Sequence, residues 1–243
     1  MKITGSNNEL IKETAKLLKK KSNKFILEGQ KPIQEAIEKG VKIENLFVLE
    51  TKEDLYKFYN GEIITVPEHV MKKISTTDSV PSGVAVAEKK EVELKQLANS
   101  KVVALLEGIK DAGNLGTIIR TAAAFGIKDI VLYGNTVDEY NPKCIRSCAG
   151  NFWKVNIYHI KEFEILNKMF KDYERVATLP IGSGQIERKN KNLLIMFGSE
   201  ADGLSQELKG FATSSLTIKT TGEVESLNLS ISAGIIFHQI YNY

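Results

Sequence analysis

Along the first half of the chain, apolar positions change period from one short stretch to the next. Leu10, Ile11, Thr14, Leu17 and Leu18 recur at helical spacing behind Asn7 or Asn8, either of which can cap the helix, and Lys12, Lys16, Lys19 and Lys20 fall towards solvent. "KFILEG" predicts a short strand and "IENLFVLE" a second. Between them "KPIQEAIEKG" predicts a helix, with Pro32 in its first turn and Gly40 past its end, which makes a β-α-β unit. "EIITVPEHVMKKIS" continues as strand then helix, and "PSGVAVAEKK" as a closing strand. The polar stretch at 88–100 predicts a boundary and hence two α/β domains, 1–95 and 96–243.

The second half opens on the buried-strand run "KVVALLEGI", followed by the helix "NLGTIIRTAAAFG", which ends at a glycine. "IKDIVLYG", "RVATLP", "NLLIMFGSE" and "SSLTIKT" are further short apolar runs separated by helical or loop sequence. Strands alternating with helices imply a parallel sheet covered on both faces. One segment resists assignment by period. In "VESLNLSISAGII" polar and apolar residues alternate from Ser226 to Ser232, as in a strand, while Leu227, Ile231 and Ile235 repeat as one face of a helix.

Composition narrows the class. An apolar content of 42% over 243 residues is that of an ordinary globular chain. No run approaches a membrane span, and the amino terminus lacks a signal-peptide core, so a cytoplasmic location is expected. Cys144 and Cys148 are the two cysteines and have no nearby histidine, which argues against a disulfide framework or a zinc site; no metal is expected. The net charge is +3, yet residues 1–31 carry eight lysines against three glutamates. With Lys12, Lys16, Lys19, Lys20, Lys21 and Lys24 this forms either a face that tracks nucleic-acid phosphates or a solubilising surface. The four arginines, Arg120, Arg146, Arg175 and Arg188, all lie in the second half, where planar bidentate contacts to phosphate would favour them.

In open α/β sheets ligands gather at the carboxyl ends of strands, and three polar, glycine-bearing loops stand there: "EGIKDAGNLGTIIRTAAAFG", "FGSEADGLS" and "IKTTGEVESLNLSISAGI". Taken singly each has a plain structural reading: the glycines make turns, Asn114 caps a helix, and Arg120 is a solvated charge. Neither a GxGxxG after a strand nor a GxxxxGK[ST] is present, and His69, His159 and His238 are scattered.

Taken together, in this order and spacing, "DAGNLGTIIRTAAAFG", "IMFGSEADGLS" and "GEVESLNLSISAGI" resemble the three motifs of SpoU (TrmH-like) RNA ribose 2'-O-methyltransferases of the SPOUT superfamily. "NPKCIRSCAGNFWKV" resembles that family's linking motif, and "SNNELIKETAKLLKKKSNKFILEGQKPIQEAI" is similar to the substrate-binding domain often fused in front. The resemblance implies a carboxy-terminal SPOUT domain with a parallel sheet and a deep trefoil knot. A smaller α/β RNA-binding domain similar to a kink-turn-binding ribosomal protein would precede it. It implies S-adenosylmethionine as methyl donor, RNA as substrate, with large-subunit rRNA favoured, and a homodimer. A transfer-RNA enzyme, or a protein that keeps the fold without turnover, is the alternative.

Residue by residue, the resemblance places Asn114, Arg120, Glu200, Ser226 and Asn228 at the catalytic site. Gly198, Ile218 and Leu227 would line the cofactor site, with Thr178 and Leu179 added by position. Arg146 would reach RNA beside the partner subunit's site. A guanidinium stays protonated up to about pH 12, so Arg120 is expected to grip the RNA phosphate and the developing alkoxide rather than serve as a free base. Ala112 stands where the family commonly has proline, and Lys219–Thr220 where it has Pro-Met. Glu225 to Asn228 are expected to form an active-site loop, with the last helix starting near Asn228 or Ser230.

Overall fold

The computed structural model describes all of the chain except residues 20–21, 91, 182–191, 225 and 242–243, so Lys20, Lys21 and Arg188 lie outside the described residues. The chain divides into two compact units, Met1–Glu91 with Tyr140–Trp153, and Val92–Glu139 with Lys154–Tyr243.

In the first unit the order is α1 (Glu9–Leu17), β1 (Lys24–Glu28), α2 (Gln30–Glu38), β2 (Ile43–Leu49), β3 (Ile63–Val66), α3 (Glu68–Lys73) and β4 (Gly83–Glu88). Asn8 caps α1, its side chain accepting from the Leu10 amide at 2.9 Å. The sheet order is β1-β4-β2-β3, and β4 runs antiparallel between β1 and β2, so the two strands of the β-α-β unit are parallel without touching. One face packs Ile11 of α1 and Val70 and Met71 of α3 against Phe47, Ile64, Val84 and Val86.

A separate segment completes this unit. Downstream of a strand at Asp129–Tyr133 the chain enters α5 (Pro142–Ser147), capped by Asn141, which accepts from the Lys143 amide at 2.9 Å. Cys144, Ile145, Cys148 and Phe152 are buried, and the rings of Tyr140 and Phe25 lie 4.5 Å apart. The Tyr140 hydroxyl accepts from the Lys90 amide and donates to the Lys90 carbonyl.

The second unit contains β5 (Val102–Glu107), α4 (Ala112–Ala124), β6 (Asp129–Tyr133), β7 (Asn156–Ile160), α6 (Phe163–Phe170), β8 (Glu174–Thr178), β9 (Leu193–Phe197), α7 (Gln206–Phe211), β10 (Ser214–Leu216) and α8 (Leu229–Tyr241). Its six strands are all parallel, in the order β10-β8-β9-β5-β6-β7. Every side chain of β9 is buried, as the unbroken run "LLIMF" requires of a strand covered on both faces. The phenols of Tyr133, Tyr158 and Tyr173 ionise above their usual range, chiefly because burial disfavours the charged form. At the amino ends of the strands Asp129 accepts from Ser100, Asn156 and Tyr158.

Candidate active site

The site is built on the carboxyl ends of β5 and β9 and the first residues of α4 and α8. Helix α4 starts at Ala112, and its cap is Asp111, whose Oδ1 accepts from the Asn114 amide at 2.8 Å. Asn114 therefore sits inside the helix, which corrects its reading as the cap and leaves its side chain for other work. The loop after β9 folds back on itself, Ser199 and Gly203 exchanging two backbone hydrogen bonds of 3.1 Å. Its far end is fixed from β5, where Glu107 Oε2 accepts from the Ser205 amide at 2.7 Å.

Gly198 is buried at the root of that loop. A methyl group built there would lie 2.0 Å from the Gly203 carbonyl carbon and 2.1 Å from the Leu204 nitrogen, both backbone atoms that cannot rotate away. The glycine is required by close approach of the chain to itself.

The third contributor is the segment 226–231. Helix α8 begins at Leu229, and Asn228 caps it: Oδ1 accepts from the Ser230 amide (2.9 Å), the Ile231 amide (3.4 Å) and the Ser230 hydroxyl (2.6 Å). The alternating pattern of "SLNLSIS" is thus a cap and a first helical turn. Leu227 is half-buried and Ser226 exposed. Glu225 lies outside the described residues.

These elements join Asn114, Glu200 and Asn228. Asn228 Nδ2 donates to Asn114 Oδ1 at 3.1 Å, and Asn114 Nδ2 donates to Glu200 Oε1 at 2.9 Å. Arg120 is exposed on α4, six residues beyond Asn114; at about 1.5 Å and 100° per residue it stands roughly 9 Å further along and on another side of the helix. Its side chain makes no hydrogen bond or ion pair among the described residues.

The expected cofactor-lining residues also gather at strand ends. The Leu179 amide donates to the Leu216 carbonyl at 2.9 Å, Thr217 Oγ1 donates to the Leu179 carbonyl at 3.0 Å, and Thr178 Oγ1 donates to the Met196 carbonyl at 2.9 Å. Thr178, Leu179, Ile218 and Leu227 are half-buried. Among the described residues no group of three or more His, Cys, Asp or Glu side chains is arranged to hold a metal ion. No described helix is long and apolar enough to cross a membrane.

Lys12 and Lys16 on α1, and Lys19 in the turn just after it, are exposed. Lys24 differs: its ammonium pairs with Glu44 at 2.5 Å. Arg146 is placed in the first unit, where Nη1 donates to Glu28 Oε2 at 2.5 Å and to Thr76 Oγ1 at 3.0 Å. Sequence reasoning missed Asp111 and Glu107. The signal for Asp111 was its place three residues before Asn114, a cap-to-third-residue spacing; Glu107, at a strand end, carried none.

Comparison with known proteins places this arrangement. The substrate-binding domain described as MRM3-like matches residues 8–86. The chain is 24% identical over 246 residues to the 23S rRNA (guanosine(2553)-2'-O)-methyltransferase of Bacillus subtilis, covering 98% of each protein. It is 28% identical to the 23S rRNA (adenosine(1067)-2'-O)-methyltransferase of Streptomyces laurentii, covering 88% of this chain and 84% of that one. An AdoMet-bound rRNA methyltransferase from Sinorhizobium meliloti superposes with a TM-score of 0.89 at 28% identity, covering 100% of this chain and 97% of that one. Residues 101–238, more than half of the chain and all three site segments, match the SpoU rRNA Methylase family, and the chain belongs to that family.

Proposed function

We propose that this protein transfers a methyl group from S-adenosylmethionine to a ribose 2'-hydroxyl of RNA, with large-subunit ribosomal RNA as the substrate. The observation that carries the reading is the hydrogen-bonded set Asn114, Glu200 and Asn228, drawn from three segments far apart in sequence to one end of a parallel sheet. The names of the Bacillus and Streptomyces relatives favour rRNA over tRNA.

The residues at the ends of β8, β9 and β10 fit the methyl donor. They offer partly exposed aliphatic side chains and neutral backbone groups, which suit the edge and face of the donor's purine ring. Leu179, Gly198, Ile218 and Leu227, with Thr178, would hold it; the bound cofactor supplies an electrophilic methyl on sulfonium.

A ribose hydroxyl attacks only when held in line and when its proton has somewhere to go. Arg120, an exposed guanidinium on α4, grips the phosphate next to the target ribose and stabilises the alkoxide as it develops, and a phosphate oxygen or water takes the proton. Asn114, Glu200 and Asn228 fix the loops that frame the hydroxyl, and Ser226, exposed two residues before the cap of α8, offers a hydroxyl to the ribose. Lys12, Lys16 and Lys19 track the RNA backbone from the first unit.

A threaded carboxy-terminal end belongs to the same reading. Leu216 ends the edge strand β10, while Asn228 bonds to Asn114 at the start of α4 beside central β5, with β8 and β9 lying between those two places in the sheet. So does a homodimer acting in the cytoplasm: Ile231 and Tyr241 on α8 are 55% and 66% exposed, an apolar surface that a second copy would cover. Comparing 2'-O-methylation across the rRNA of cells with and without the gene tests the activity and substrate together. Loss of one modified site is expected; an unchanged rRNA pattern sinks the reading.

A further inference from the structure

We infer that the site's hydrogen bonds form a one-way chain whose direction is set at Ser230 and which ends on Glu200, so that Ser230 is a positioning residue for the methyltransferase site. That role rests on the function proposed above and goes beyond it in giving Ser230 a task and the amides a polarity.

Donor and acceptor counts set the direction. An asparagine side chain has an acceptor end and a donor end, and which faces which neighbour is decided by its partners. At Asn228 the oxygen receives three donors, the amides of Ser230 and Ile231 and the Ser230 hydroxyl, the last at 2.6 Å. The Asn228 NH₂ group must therefore point outward, towards Asn114, and it donates to Asn114 Oδ1 at 3.1 Å. That contact fixes the second amide in turn: the Asn114 NH₂ faces Glu200, and donates to Oε1 at 2.9 Å. The chain closes on a carboxylate, which can only accept while ionised.

Each link spans two of the three sequence motifs. Helix α8 sets Asn228, Asn228 sets Asn114 on α4, and Asn114 holds Glu200 on the loop after β9. The backbone amide of Asn114 is held separately by Asp111, so its side chain hangs from a fixed helix start. Sequential hydrogen bonds polarise one another in the same sense, and an inverted member leaves two acceptors face to face.

Asn228→Asp makes that inversion while leaving the cap intact, since aspartate caps a helix as well as asparagine does. The second carboxylate oxygen then faces Asn114 Oδ1. Asn114 must turn over to donate to it, which brings its oxygen against Glu200. Glu200→Gln removes the conflict, because a glutamine amide can turn its NH₂ to Asn114 and the chain runs satisfied in reverse. The penalty of Asn228→Asp should therefore depend on position 200: about tenfold in kcat with Glu200 in place and under about twofold in the Glu200→Gln background, a coupling that a double-mutant cycle isolates. Direct repulsion between carboxylates at positions 228 and 200 would produce a similar pattern at low salt and lose it at about 1 M, where screening acts within about 3 Å. The hydrogen-bond chain predicts the same coupling at both.

The experiment is this cycle of four proteins, measured as kcat and KM at about 0.1 M and 1 M salt, with the side-chain NH₂ signals of Asn114 followed by nitrogen-15 NMR as a readout independent of turnover. In addition, Ser230→Ala should lower kcat about fivefold with KM for RNA unchanged, and Ser230→Thr, which restores the hydroxyl, should recover it. An equal penalty in both backgrounds, coupling that vanishes at high salt, or Asn114 signals indifferent to Asn228→Asp would each overturn the chain. If Ser230→Ala unfolds the protein, the cycle at positions 228 and 200 decides alone. A wild-type protein without methyl transfer would refute the proposed function instead, and the NMR arm would still read the chain.

Discussion

The Arg146 guanidinium donates to a carboxylate that is almost sealed from water: the Glu28 side chain is 1% exposed and that of Arg146 34%. The same carboxylate accepts from the Thr76 amide at 2.5 Å and the Thr76 hydroxyl at 2.9 Å. Arg146, expected from its motif to reach RNA, also has a partner within the first unit, a buried carboxylate.

Removing one member of such a pair strands the other. Arg146→Ala should cost the first unit about 2–4 kcal/mol, the lower end reflecting the solvent on the open side of the arginine. Replacing both members, Glu28→Gln with Arg146→Met, should cost less than Arg146→Ala alone. Urea unfolding of the three proteins checks the order; equal stability of Arg146→Ala and wild type would show that the pair holds nothing.

Gly198→Ala should be among the most damaging single-methyl changes in the chain. The added carbon meets backbone on two sides, so the loop 199–205 must move, at a cost of about 1–3 kcal/mol and with disruption of the geometry that presents Glu200. Thermal unfolding together with calorimetric titration of S-adenosylmethionine measures both effects. A protein that melts and binds as wild type would mean the loop is not built as described.

Arg120→Lys retains charge but loses the planar fork. If the arginine clamps a phosphate and the developing alkoxide, kcat should drop roughly 100-fold while S-adenosylmethionine affinity is preserved. Near-normal turnover with unchanged RNA affinity would remove the bidentate clamp.

Changing Lys12 and Lys16 of α1 and Lys19 just beyond it together to glutamine should weaken RNA binding and reduce the steepness of its salt dependence by about 2 to 3, at roughly 0.7–0.9 for each phosphate no longer neutralised. Filter binding at several salt concentrations supplies the slope. An unaltered slope assigns these lysines to solubility.

The contribution of three buried phenols to stability should be constant through neutral pH and decline in alkali. The phenols of Tyr133, Tyr158 and Tyr173 ionise higher in the folded protein than in the unfolded chain, whose phenols titrate near 10. Their contribution is therefore complete below about pH 10 and is lost as pH rises from there through the folded values. Tyr133→Phe and Tyr158→Phe should flatten the alkaline decline, read from unfolding midpoints between about pH 8 and 11.

Much of this was legible in the residues. The runs "KFILE", "VVALLE" and "LLIMF" became β1, β5 and β9 because their apolar length matches strands covered on one or both faces. The segment from 224 onward could not be resolved by period, since a cap followed by one helical turn mimics alternation over seven residues. What settles it is Asn228 holding the amides of Ser230 and Ile231, a pairing that periodicity does not encode. "NIYHI", the edge strand β7, escaped notice because only part of its surface is buried and its apolar signal is thin. Beyond local pattern, no rule of spacing could have brought Arg146 to Glu28, which are 118 residues apart. A pairing of that range is decided by how the first unit closes around both of its segments.

The first unit's dependence on Tyr140–Trp153 has a consequence for how such proteins can be recombined. A front module cut at residue 91 would leave behind the rings and the arginine that finish its interior. Exchanging substrate specificity between relatives therefore calls for transplanting two pieces of gene at once, and a lineage that shuffled only the first would inherit a module with an open seam.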